Sequence, residues 1–270
     1  MQVWTNTKTL DGLVDGIRFT RDRAEAEVIL VGGKAFDLAD FPKLRGIFKT
    51  GVGRDNIPED AARAKGIICA FPSQRTCEYI YDETASFACY LVLRCLYSGS
   101  GDFETWTKYE RSSLESRQVL VVGTGHIGKR VVSRLQSFAR VTTYDVLTHA
   151  PEALEALVRA ADCVTLHLPL TDQTRGLFDA EKLAWMKDGA ALVNTARAAI
   201  VDETALAAEL RVGRLRGAFD VFWSEPYAGP LRSLPADRFL MSPHVASNCR
   251  EFREGTAKDF IRFLGSLKSK

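Results

Sequence analysis

A chain of 270 residues, 46% hydrophobic and 26% charged, is longer than one hydrophobic core usually fills and has the balance of a soluble globular protein, so two modest domains are expected. The formal net charge is +2 and the Lys and Arg residues are scattered, which announces no extended basic face for nucleic acid or lipid and leaves a small anionic ligand as the easier partner. Residues 1 to 25 lack a continuous signal-peptide core, and the longest apolar run, Phe87 to Leu93, is stopped by Arg94; no targeting segment or membrane span is expected.

Strand-length apolar runs recur along the chain: "AEVILVG" (26 to 32), "KLRGIFKT" (43 to 50), "QVLVVG" (118 to 123), "RVTTYD" (140 to 145), "DCVTLHL" (162 to 168), "AALVNT" (190 to 195), "LRGAFDV" (215 to 221) and "RFLMS" (238 to 242). Helical spacing separates several of them, as in Ile127, Val131, Val132, Leu135 and Phe138, or Leu206, Leu210 and Val212. This alternation predicts parallel, doubly wound sheets covered on both faces. Residues 76 to 97 read as one long helix closed by "SGSG", a natural bridge between domains. The last segment, with Phe252, Phe260, Phe263, Leu264 and Leu267, has helical spacing and is expected to pack on the N-terminal part. The six cysteines form no C-x-x-C pair and lie mostly in apolar contexts, which favours free thiols, a reducing cytoplasmic setting and no metal site.

"VLVVGTGHIGKRV" sets Gly123, Gly125 and Gly128 in G-x-G-x-x-G spacing between a strand and a helix. The first glycine allows the tight turn, the second lets backbone approach a pyrophosphate, and the third permits close packing of a helix whose N-terminus faces the anion. Asp145 ends the next strand, about 20 residues on, where a carboxylate accepts from an adenosine ribose and repels a 2′-phosphate, favouring NAD over NADP. An accidental Gly-rich turn is the plain alternative, and His126 within the loop reads as exposed or backbone-adjacent.

Polar residues gather just past strand ends, where open α/β sheets bind ligands: Gly51-Val52-Gly53 after "IFKT", Pro169 after "VTLHL", Arg197 after "LVNT", Asp220 and Glu225 after "GAF", and His244 after "FLMSP". Arg197 suits a carboxylate held by two parallel hydrogen bonds. His244 suits transfer of a hydroxyl proton, and Glu225 would stabilise its imidazolium. Each also has a structural reading: Arg197 in an interdomain ion pair, Glu225 as a surface acid before Pro226, His244 as a turn histidine after Pro243.

Together these stretches resemble the D-isomer-specific 2-hydroxyacid dehydrogenases over nearly the whole chain. "FKTGVGRDNIP" is similar to that family's substrate loop, "VVGTGHIGKRV" to its dinucleotide loop, "LHLPLTDQTRGLFD" to its mid-domain signature, "NTARAAIVDETAL" to its arginine motif, "DVFWSEP" to its acid motif and "SPHVASN" to its histidine motif. The resemblance implies Arg197 as the substrate-carboxylate and carbonyl binder, His244 as acid/base and Glu225 as its paired acid. It implies cofactor contacts from the loop Gly123, Thr124, Gly125, His126, Ile127 and Gly128, from Asp145, Pro169, Thr174 and Ala196, and from Asp220 near the nicotinamide amide. Val52 and Gly53 would offer backbone amides to the substrate carboxylate. Lys49 and Arg54, flanking that loop, are the nearby cations, with a strand-end lysine and a solvent-facing arginine as the plainer readings.

The implied fold is α/β, with a Rossmann-type nucleotide domain (85–246) inserted in a flavodoxin-like substrate domain (1–84 and 247–270), both doubly wound parallel sheets, and a homodimer formed through the nucleotide domain. Two departures stand out. Ala198 follows the arginine where the family has glycine, and alanine resists positive φ; the stretch between Asp145 and Asp162 is short, so the second half of the nucleotide domain is expected to be trimmed. The expected activity is NAD-dependent hydride transfer at C2 of a small D-2-hydroxy or 2-keto acid. The rivals are a phosphoglycerate dehydrogenase specifically, and an NAD(H)-sensing scaffold without turnover.

Overall fold

Strands covered on both faces can be apolar at every position, and the parallel strands of this chain are built that way: Val28–Val31, Gln118–Val122, Cys163–Leu166 and Ala191–Asn194 are buried almost end to end. The computed structural model describes residues 1–268. They fall into two units, Met1–Ile80 with the chain from Ser247 onward, and Tyr81–Ala246.

The first unit carries β1 (Gln2–Thr5), β2 (Arg18–Phe19), β3 (Val28–Val31), β4 (Gly46–Lys49) and β5 (Ile68–Ala70), all parallel in the order β2-β1-β3-β4-β5. That is the flavodoxin-like order. Alternate residues feed opposite faces: Ile29, Val31 and Ile47 pack with Phe41, Ile57 and Ala62 of α1 (Glu59–Ala64), while Val28, Leu30 and Phe48 meet Phe260, Phe263 and Leu267. The last three lie on the final helix, Arg250–Lys268, which packs on the N-terminal strands as its spacing predicts. Asp259 of that helix accepts from the Ser73 backbone N–H and the Thr76 hydroxyl, both at 2.8 Å, and so caps the start of α2 (Gln74–Leu96).

The second unit opens on the remainder of α2 and a short antiparallel hairpin, β6 (Gly101–Asp102) and β7 (Thr107–Lys108). Its main sheet then follows in chain order: β8 (Gln118–Val122), α3 (His126–Leu135), β9 (Arg140–Tyr144), α4 (Ala153–Ala160), β10 (Cys163–Leu166), α5 (Ala180–Trp185), β11 (Ala191–Asn194), α6 (Glu203–Val212), β12 (Arg216–Phe219) and β13 (Phe239–Met241). The six strands run parallel in the order β13-β12-β11-β10-β8-β9. Val119 and Val121 face α2 and α3, while Leu120 and Val122 face α4, α5 and α6. The order reverses between β8 and β10, and this reversal opens a ligand crevice beyond their carboxyl ends.

Three expectations are corrected. The short stretch after Asp145 holds only α4, leaving β9 at the sheet edge; what is trimmed is the outermost strand of the first mononucleotide half, since β10 to β12 of the second half are all present. Phe138 and Val212 are exposed, at 48% and 79%, because α3 ends at Leu135 and Val212 is the final residue of α6. Of the six cysteines, all free thiols, only Cys89, Cys95 and Cys163 are buried; the others keep partial exposure. Among the described residues no helix is long and apolar enough to cross a membrane.

Candidate functional site

The glycine loop follows β8 and leads into α3. Gly123 sits at φ +92°, and a Cβ there would lie 2.5 Å from the His167 carbonyl oxygen at the end of β10; a Cβ at Gly128 would lie 1.9 Å from the Gly123 carbonyl oxygen. Those two glycines make the turn and the helix packing possible, whereas Gly125 has nothing within 4 Å of its missing Cβ, leaving exposed backbone that a phosphate can approach. Asp145, just past β9, closes the loop from the side: its Oδ2 accepts from the Thr124 N–H at 2.7 Å and the Thr124 hydroxyl at 2.8 Å, and its Oδ1 from the Leu147 N–H at 3.0 Å. The Thr124 and Leu147 amides outweigh partial burial and hold the Asp145 carboxyl below the usual carboxylate range. A fixed, ionised acid beside an open anion-binding turn fits a dinucleotide with a free ribose diol.

The neighbouring His167 donates its backbone N–H to Val122, and its Nε2 lies 3.0 Å from the Thr165 hydroxyl. It retains some accessible surface but is densely surrounded by protein, and that desolvation pushes its imidazole down to about 3. The unfolded chain therefore binds a proton below about pH 6.5 that the folded chain refuses, so this residue's contribution to stability falls as the pH drops from there toward 3, by at most about 1.4 kcal/mol per pH unit. Urea unfolding between pH 7 and 4 should show a shallower pH slope for His167→Asn than for the unaltered chain; equal slopes would mean that His167 accepts the proton while folded.

Beyond β11 the chain turns through Asn194, which is fully buried: its Oδ1 accepts from the Ala196 N–H and its Nδ2 donates to the Arg197 carbonyl, each at 2.9 Å. This side-chain-bridged turn presents Arg197 in extended geometry, φ −144°. Ala198 then begins a 3-10 turn, Ala198–Ile200, and the only non-glycine residues at positive φ among the described residues are Trp106 and His244. The position therefore does not require positive φ, and the strain expected at Ala198 is absent. The Thr195 hydroxyl beside this turn is buried without a hydrogen-bond partner, a polar atom that a bound group could satisfy.

The strain sits at His244, at φ +54°. Its loop is held by Asp220 at the end of β12, whose carboxylate accepts from the Ser242 hydroxyl (2.6 Å), the Val245 N–H (2.9 Å) and the Ala246 N–H (2.9 Å). Burial pushes the Asp220 carboxyl up, and those donors together with the His244 charge oppose the rise. His244 Nδ1 lies 2.9 Å from Glu225 Oε2 and 3.0 Å from Oε1. Burial raises the Glu225 carboxyl, but the His244 hydrogen bond and charge, the Phe222 N–H and the Arg197 charge more than offset it and leave the group below its usual value. The Glu225 segment is anchored in turn: Trp223 Nε1 donates to the Val201 carbonyl at 3.0 Å, and the Tyr227 hydroxyl meets Glu203 Oε1 at 2.7 Å.

Arg197, Glu225 and His244 thus belong to one electrostatic cluster within the second unit, and the glycine loop, Asp145, Pro169, Thr174, Ala196 and Asp220 lie in the same unit. Thr174 is committed to its own turn, its hydroxyl donating to the Pro169 carbonyl at 2.6 Å. Lys49, Val52 and Gly53 belong to the first unit. There the nearly buried Lys49 ammonium donates to the Gly32 carbonyl at 2.6 Å and Asn56 Oδ1 at 2.7 Å, tying the ends of β3 and β4 together. Arg54 lies over the Phe71 ring at 3.9 Å and pairs with Glu59. Sequence reasoning passed over Asn194, Thr195, Ser242, Trp223 and Tyr227; an asparagine at a strand end, a habitual turn former, was the available signal for the first.

Residues 98–246 match the family model described as D-isomer specific 2-hydroxyacid dehydrogenase, NAD binding domain. The chain is 32% identical over 266 residues to a D-3-phosphoglycerate dehydrogenase of Mycobacterium leprae, covering 87% of this chain but 48% of that protein, so it spans about half the length of that relative. It is 31% identical over 258 residues to a glyoxylate reductase of Thermococcus litoralis, covering 84% of this chain and 76% of the relative. Its fold matches a crystal structure of D-lactate dehydrogenase from Aquifex aeolicus complexed with NAD and lactic acid, with a TM-score of 0.78 and 23% identity over 100% of this chain and 97% of that one. The chain belongs to the D-isomer specific 2-hydroxyacid dehydrogenase family.

Proposed function

We propose that this protein is an NAD-dependent oxidoreductase interconverting a small 2-keto acid and its D-2-hydroxy acid. The observation that carries the reading is the His244–Glu225 pair, 2.9 Å apart beside the charge of Arg197. A bound nicotinamide supplies or accepts the hydride at C2. Arg197 grips the substrate carboxylate through its forked guanidinium. With Nδ1 engaged by Glu225, His244 Nε2 is left to give a proton to the carbonyl oxygen in reduction and to take the hydroxyl proton in oxidation. Glu225 stabilises the imidazolium between these transfers and keeps the ring oriented, while Asp220 holds the loop that bears it.

In the first unit, Val52 and Gly53 would offer backbone amides to an anionic group, with Lys49 setting the charge of their surroundings. On the cofactor side the Gly123–Gly128 loop, including Thr124, His126 and Ile127, would receive the pyrophosphate, Asp145 the adenosine ribose, and Pro169, Ala196 and Asp220 the nicotinamide end, with Thr174 fixing Pro169. Asp145→Asn, which keeps an acceptor for Thr124 but loses the charge, should shift the ratio of NADH to NADPH efficiency toward NADPH by about tenfold, since a like charge no longer opposes a 2′-phosphate. An unchanged ratio would show that this carboxylate does not meet the ribose.

The exposed Phe103 and Trp106 on the β6–β7 hairpin, 80% and 74% accessible, support self-association as a homodimer, which sedimentation equilibrium would test. Six free thiols fit a cytoplasmic setting. Turnover of a panel of 2-keto acids, including glyoxylate, hydroxypyruvate and phosphohydroxypyruvate, with NADH and NADPH tests the activity itself. Reduction of at least one acid with NADH is expected; NADH binding with no turnover across the panel would favour a nucleotide-sensing scaffold instead.

A further inference from the structure

In the dinucleotide loop, His126 is the first residue of α3 and is exposed. Its ring is stacked on Tyr81 of α2, centroids 4.5 Å apart and planes within 5°. The Arg130 guanidinium, one helical turn further along α3, lies 5.5 Å from the Tyr81 ring centre, and its Nη1 donates to the His126 carbonyl at 2.7 Å. Asp82, next to Tyr81, accepts from Arg130 Nε and Arg134 Nη2, both at 3.0 Å. Tyr81 of α2 thus holds the His126 ring, while its neighbour Asp82 holds the Arg130 that engages the His126 carbonyl. Among the described residues no hydrogen bond engages either His126 ring nitrogen, and the ring stands beside the open backbone of Gly125.

We propose that Tyr81 is a positioning residue for the cofactor: by stacking on His126 it fixes the imidazole at the N-terminus of α3, so that a ring nitrogen can donate to the dinucleotide pyrophosphate. The inference rests on the reading of the second unit as a dinucleotide site. An unstacked surface histidine would lose rotamer freedom on binding, whereas here the ring is already ordered in the free protein. The flat aromatic face leaves the polar edge of the imidazole available, which a hydrogen bond to its nitrogens would not.

Titration of the full chain with NADH, followed by fluorescence, and competition by adenosine test this directly. Tyr81→Ala is expected to weaken NADH binding about three- to tenfold, and Tyr81→Phe, which keeps a flat ring, by less than about twofold. His126→Ala should weaken NADH by about tenfold or more, and adding Tyr81→Ala to it should cost nothing further, since the two residues act as one. Adenosine, which carries no phosphate, should compete equally well in every variant. Tyr81→Leu, which preserves apolar bulk between the helices, replaces Tyr81→Ala if the latter lowers the melting temperature. Unchanged NADH affinity without the aromatic ring, equal weakening of NADH and adenosine, or additive losses in the double variant would overturn the positioning role. Failure of the unaltered chain to bind NADH would instead remove the dinucleotide site, and the proposal with it.

Discussion

Replacing His244 with alanine should lower keto-acid turnover by roughly 10²-fold or more, the usual contribution of a positioned general acid or base, while NADH binding stays within about twofold. The geometry separates the two readouts. The imidazole is bound to Glu225 through Nδ1 and its loop is carried by Asp220 through three hydrogen bonds, none of which needs the His244 ring, whereas the glycine loop and Asp145 lie on other strand ends. Alanine at a position with φ +54° brings some backbone strain, so His244→Asn, which tolerates that region better, is the companion variant and should lose turnover to a similar degree. Unchanged turnover in both would remove His244 from the chemistry. Because Glu225 is held below the usual carboxylate range, it stays ionised as the pH falls toward that range, and its partnership with His244 should be lost only at still lower pH.

Arg197→Lys should reduce kcat/KM by about 10- to 100-fold, the value of a charged hydrogen bond that the compact ammonium cannot duplicate. Most of the change should fall on KM if the guanidinium grips the carboxylate equally in ground and transition states, and on kcat if it also polarises the carbonyl. The variant should fold normally: Arg197 is presented by the Asn194-bridged turn through its backbone carbonyl, and that link is indifferent to the side chain. Steady-state kinetics on the best acid of the panel decides the matter. If KM and kcat both hold, Arg197 has a structural role and the substrate carboxylate is held elsewhere.

What was legible in the sequence was what repeats locally. "QVLVVGTGHIGKRV" shows a strand, a glycine turn and a helix within one stretch, and the structure has β8 and α3 there. The segment read as 76 to 97 is α2, Gln74–Leu96, because its buried residues, Ala85, Ala88, Leu91, Val92 and Cys95, recur at helical spacing. Elements with little core contact left no such trace: β2 is two exposed residues, and β6 and β7 are two residues each. Phe138 misled because helical spacing says nothing about where the helix stops.

The candidate site divides in the same way. The triad types could be placed at strand ends from topology, and the partnership of Glu225 with His244 was expected from their chemistry and from the family resemblance; the contact of Tyr81 with His126 was not, because it depends on tertiary packing between distant segments. Ala198 shows the converse: alanine looked costly there only if the position needed positive φ, and in the structure it lies in a 3-10 turn without positive φ.

The most direct measurement of the proposed chemistry is label transfer. NADH carrying deuterium at the transferable position of C4, incubated with the protein and a 2-keto acid that it reduces, should yield a hydroxy acid of D configuration with deuterium bonded to C2, read by mass spectrometry and chiral chromatography. Reduction without deuterium at C2, an L product, or no reduction of any 2-keto acid despite tight NADH binding would contradict it.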